Sequence, residues 1–171
     1  MGAAQLAAAS VFLGLALWWS LRRNPVTVAL NPRKAGLRWS WFFWASLGIG
    51  GYSVFFYEGL QLAGVGIGTA VAIGSSPIWA GLLQAVVLRA PLSALWWLGT
   101  LVSVGGGVAM VLGKGAGAEV SWPGLVLCLL AGLSYAGYAR INKRLVSHMA
   151  PKVVNFYVFT GAAVLAAPVA L

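Results

Sequence analysis

Few residues in this chain could do chemistry. It holds two acids, Glu58 and Glu119, one histidine, His148, and one cysteine, Cys128. Glu58 alone lies inside an apolar run. A carboxylate kept from water favours its neutral form, and an ionisable group within a membrane-length segment marks a solute or proton path by default. Glu58 therefore reads as a gate or proton-coupling group, or as a solvated acid at the rim of its segment. Gln61 lies three residues on, near the same helix face, and can donate to the carboxylate. Tyr57 is adjacent but points about 100° away on a helix, which makes it the weaker partner.

Other residues suggest a path through a membrane. Pro77 interrupts an apolar run, cannot donate to the carbonyl of Ile73, and should kink its helix. Ser75 and Ser76 beside it can supply replacement hydrogen bonds. Trp79, two residues further, faces a cavity or lipid. Tyr135 and Tyr138, with Ser134, place hydroxyls at helical spacing, either along a path or bonded to backbone. Gly99, Ser103 and Gly107 recur every four residues, a spacing that lets helices approach closely. Catalysis finds no support. One His, one Cys and two acids cannot supply a triad, a carboxylate pair or a metal cluster. Cys128 sits in an apolar run and reads as a small buried residue, and His148 as a solvated member of a basic loop. Gly113-Lys114 is followed by Gly115, so it is not a phosphate loop. The expectation is a protein that is not an enzyme and uses no cofactor or metal.

These residues need elements to position them. Of 171 residues, 61% are hydrophobic and 8% charged, where charged residues make up about a quarter of a soluble domain. Residues 55–113 carry only Glu58 and Arg89 as charges. Lipid is the solvent such a stretch calls for. Six helical spans are expected, over 3–21, 39–63, 65–88, 92–113, 122–139 and 153–171. The first has its basic residues after it, Arg22 and Arg23, the reverse of a secretory signal. Trp18, Trp19, Trp39, Trp41 and Trp44 form an aromatic belt beside the first loop. Loops one, three and five hold every Lys and Arg except Lys114. Basic residues favour the cytoplasmic side, which places Arg33 and Lys143 inside, Lys114 outside, and both termini outside. The net charge of +9 is thus a topology signal, and no nucleic-acid partner is expected.

Several segments carry a family resemblance. Phe56-Tyr57-Glu58-Gly59-Leu60-Gln61-Leu62-Ala63-Gly64-Val65-Gly66, then Ser75-Ser76-Pro77-Ile78-Trp79, then Leu92-Ser93-Ala94-Leu95-Trp96-Trp97-Leu98-Gly99 resemble the third, fourth and fifth spans of an EamA-type drug/metabolite transporter half. That family carries an acid before the Leu-Ser of its fifth span, where this chain has Leu88-Arg89-Ala90-Pro91. The resemblance implies an all-α, multi-span transmembrane bundle of inverted-repeat transporter architecture, with about six spans present. The six look like spans two to seven of ten: residues 1–113 a first half without its first span, residues 114–171 the start of a second half. It implies a multi-pass permease of the plasma or inner membrane that moves a small metabolite, an amino acid or drug-like solute, by a gradient and with no ATP site. Tyr57, Glu58, Gln61, Ser76, Pro77, Trp79, Tyr135 and Tyr138 are expected along its path or gate. The alternative is a non-transporting fragment or an assembly subunit. The partners expected are the lipid bilayer, a small-molecule substrate, and missing spans or further copies of the chain.

Overall fold

A computed structural model of the chain describes residues 2–23, 32, 36–89, 91–113 and 121–166. Every regular element among them is a helix: α1 (Gly2–Arg23), α2 (Trp39–Ala63), α3 (Val65–Leu88), α4 (Ala94–Leu112), α5 (Trp122–Val146) and α6 (Pro151–Ala166). α3 and α5 each contain a stretch long and apolar enough to cross a membrane. The 23 residues Val65–Val87 rise about 35 Å at 1.5 Å per residue, more than the roughly 30 Å hydrocarbon core.

The ends of the helices have local causes. α2 and α3 are joined by Gly64 alone, whose φ of 80° is open to glycine at little cost. α4 starts at Ala94, two residues later than expected, because the Ser93 hydroxyl accepts from the Trp96 backbone N–H at 3.2 Å and caps the helix. Ser121 does the same for α5 through the Gly124 N–H at 3.3 Å. The sequence reading ended α5 at Ala139, where charges begin, and that is corrected here: the helix runs on to Val146. Lys143 and Arg144 in its last turn suit the negative end of the helix dipole, and long basic side chains keep their heads in water while their stems stay apolar. Residues 167–171, expected to finish the sixth span, lie outside the described residues, as do Arg33 and Lys114.

The chain divides into two compact units, Tyr52–Gly137 and the pair Met1–Gly51 with Tyr138–Leu171. In the first, small residues let backbones meet. A Cβ on Gly59 would lie 2.7 Å from the Cys128 Sγ, one on Gly124 the same distance from the Ala63 backbone nitrogen, and one on Gly132 2.9 Å from the Ala72 carbonyl. Ala72, Cys128 and Ala131 form the buried centre, with Tyr52, Phe55, Phe56 and Val71 against it. α4 is tied to α3 by two bonds between the helices. Ser103 donates to the Gly74 carbonyl at 3.0 Å, and the Trp96 indole to the Pro77 carbonyl at 3.3 Å. In a bilayer such contacts replace the hydrophobic force that lipid cannot supply.

The Gly99, Ser103 and Gly107 seam needs correction in part. Ser103 does sit at a helix contact, but a Cβ on Gly99 or Gly107 would meet nothing within 4 Å. The four-residue spacing is present, but among the described residues no backbone lies opposite Gly99 or Gly107, and Gly107 lines an open groove. Close approach falls instead to glycines on α2, α3 and α5.

In the second unit α1 lies along α6, with Gly14 facing the Phe156 ring. Val154, Val158 and Ala162 recur every four residues on α6 and are all fully buried. Ser46 on α2 is buried and donates to the Val158 carbonyl at 2.9 Å. Trp39, Phe42 and Tyr157 form a three-ring cluster with centroids 5.5 to 5.8 Å apart.

Candidate functional site

The strongest constellation lies in the unit Tyr52–Gly137. Tyr52 and Phe56 are one helical turn apart on α2 and stack with centroids 5.3 Å apart. Tyr52 also meets Tyr135 on α5 at 5.5 Å, and Phe56 meets Tyr57 at 5.7 Å. The four rings make one row, Tyr57–Phe56–Tyr52–Tyr135, across two helices. Tyr57 and Tyr135 were expected from sequence and are brought together through Tyr52 and Phe56, which were not. The missed signal was their four-residue spacing, overlooked because aromatic residues are abundant in every apolar run.

Trp79 shares a face of α3 with Ala72 and Ser75, seven and four residues before it. Its indole nitrogen is buried and has no hydrogen-bond partner among the described residues. A buried donor left unpaired is costly, and such a group is free to meet an acceptor carried by a solute. Ser76 donates to the Ala72 carbonyl at 2.8 Å and Ser75 to the same oxygen at 3.3 Å. Both hydroxyls thus serve the residue before Ile73, not the carbonyl that Pro77 frees. Pro77 lies within α3, which continues as a helix through it.

Glu58 and Gln61 are exposed, near the end of α2. Tyr138 is buried and belongs to the other unit. A groove of about 310 Å³ runs between α3, α4 and α5, lined by Gly74, Ser75, Ser103, Gly107, Leu125, Leu129 and neighbouring aliphatic residues. Its two serine hydroxyls are spent on backbone carbonyls, so it offers apolar surface and no free donor from them. No group of three or more metal-ligating side chains occurs among the described residues.

Comparison with known proteins decides the family. Residues 1–112 match the EamA-like transporter family. The chain belongs to that family. The EamA-like fold is a multi-span membrane bundle, and large apolar side chains are exposed along these helices, Leu95 at 77% and Val65 at 70% among them. Among curated relatives, the "Uncharacterized transporter YwfM" of Bacillus subtilis (strain 168) is 30% identical over 132 residues, 76% of this chain and 44% of that protein. The chain thus spans under half the length of that relative. No solved structure matches it significantly.

Proposed function

We propose that this EamA-like chain forms part of the pathway of a gradient-driven permease for a small metabolite. The observation that carries the reading is the ring row Tyr57–Phe56–Tyr52–Tyr135 within a transporter-family fold. Ring faces bind apolar or cationic parts of a solute, and the unpaired Trp79 indole can donate to an acceptor on it. The solute class this favours is a small amphipathic molecule with an apolar body and a polar head, such as an amino acid or a drug-like amine. Residues 1–113 are read as one transporter half and the rest as the start of another, supported by a family match that stops at residue 112. The odd loops are read as cytoplasmic and the membrane as the plasma or inner membrane, supported by the charge distribution.

Counterflow in proteoliposomes tests the reading, with a panel of labelled amino acids and amphipathic amines. Tyr52→Ala should lower the saturable flux of the accepted solute at least tenfold, and Tyr135→Phe, which keeps the ring, should change it less than threefold; about 1.4 kcal/mol corresponds to a factor of ten. Equal loss in both variants would assign the effect to the hydroxyl and not to the ring row.

A further inference from the structure

The unit formed by Met1–Gly51 and Tyr138–Leu171 has no acidic side chain. Both acids of the chain, Glu58 and Glu119, fall in the other unit, whereas every Lys and Arg except Arg89 and Lys114 falls in this one. None of its cations can find a carboxylate side chain within the unit. Arg22 lies over the Trp18 ring at 3.9 Å, and two further cations are set in a defined place. The Arg144 guanidinium, near the end of α5, lies over the Trp41 ring at 4.6 Å. Arg38, just before α2, lines a cleft of about 310 Å³ with Leu37, Trp39 and Ser40. Trp39, one wall of that cleft, is held by Phe42 and Tyr157. Trp41 is three residues from Arg38 and its backbone N–H donates to the Arg38 carbonyl at 3.1 Å, so cleft and stacked guanidinium share one end of the unit.

We propose that this end of the unit binds the headgroup of an anionic phospholipid, with Arg38 and Arg144 as the groups that take its phosphate. Arg38, Ser40, Lys143 and Arg144 are all exposed. A guanidinium stacked on a ring keeps its edge donors, and its planar fork suits a phosphate better than a lysine would. The neighbouring Trp39 and Trp41 are the side chains that settle at the headgroup level. Surplus positive charge without internal counter-charge is complementary to an anionic leaflet. A soluble anion would meet the same fork, but the helices beside the cleft are apolar and would bind the acyl chains that only a lipid brings. The proposal stands on membrane placement and is independent of the transport reading.

The test uses the full 171-residue chain in a neutral detergent. Native mass spectrometry would count retained phosphatidylglycerol against phosphatidylcholine, offered in equal amounts. The chain should prefer phosphatidylglycerol at least tenfold. Each of Arg38→Gln and Arg144→Gln should cut that preference about fivefold, the effect of one basic residue near an anionic surface. Arg89→Gln removes the same charge from the other unit and should leave the preference unchanged. Both target positions are exposed, and an unfolding midpoint equal to that of the unmodified chain checks that each variant keeps the fold. Raising the salt for the unmodified chain is a second measure and should weaken phosphatidylglycerol retention. Equal losses in all three variants would show a response to total charge and overturn the site. Displacement of the lipid by an equal concentration of inorganic phosphate would overturn the lipid as its occupant.

Discussion

At the scale of single residues, Glu58 is the one carboxylate among the described residues. Glu58→Gln keeps the shape of the side chain while removing its charge. The expected outcome, in a flux-competent preparation, is loss of accumulation driven by a pH gradient with exchange at equal pH retained; persistent accumulation would leave Glu58 a solvated rim residue. Glycines give a second contrast. Gly132→Val would drive its side chain into Ser75 and the Ala72 carbonyl, and overpacking of this kind costs about 1–3 kcal/mol. Gly107→Leu would meet open space and the adjoining groove, and should stay within about 0.5 kcal/mol. Thermal unfolding in detergent would rank the two, and a larger loss at Gly107 would show that a helix covers that groove.

At the scale of helices, Pro77 and the two bonds between α3 and α4 define how α3 is held. Ser103→Ala removes the bond to the Gly74 carbonyl. Bonds between membrane helices average about 0.6 kcal/mol and reach about 1.7, so a loss in that range is expected, with insertion unchanged. Pro77→Ala restores a donor for the Ile73 carbonyl. If the proline shapes the path, flux should fall while the variant still inserts and stays monodisperse; unchanged flux would make Pro77 a matter of helix contact alone. Ser46→Ala in the other unit removes a buried bond from α2 to α6 and should cost a similar amount without touching the aromatic row.

At the scale of the whole chain, topology is the property most open to test. Arg144 over Trp41 joins the end of α5 to the start of α2, so Arg38 and Lys143 are expected on one side of the membrane. Single cysteines at these two positions, in a Cys128→Ala background, should share one labelling behaviour with an impermeant thiol reagent, and Ser121→Cys should show the opposite one. External labelling at Arg38 with protection at Ser121 would reverse the proposed orientation.

The sequence by itself determined the membrane class, the number of helices and most of their ends. Apolar runs of bilayer length, broken by Gly64, Pro91 and basic loops, allow little else, because backbone polar groups in lipid must be satisfied within each helix. It also singled out Tyr57 and Tyr135. It could not show that Tyr52 and Phe56 link them, because a ring contact between α2 and α5 depends on where two distant helices meet. The same holds for the glycine seam: Gly99 and Gly107 have the right spacing, but spacing on one helix says nothing of whether a second backbone lies opposite. α5 ran past its expected end because charge was read as loop, although a helix in lipid can carry its last turns into the headgroups. The Arg144–Trp41 contact was likewise decided only by tertiary structure, which brought residues about a hundred positions apart to one end of a unit that holds cations and no acidic side chain.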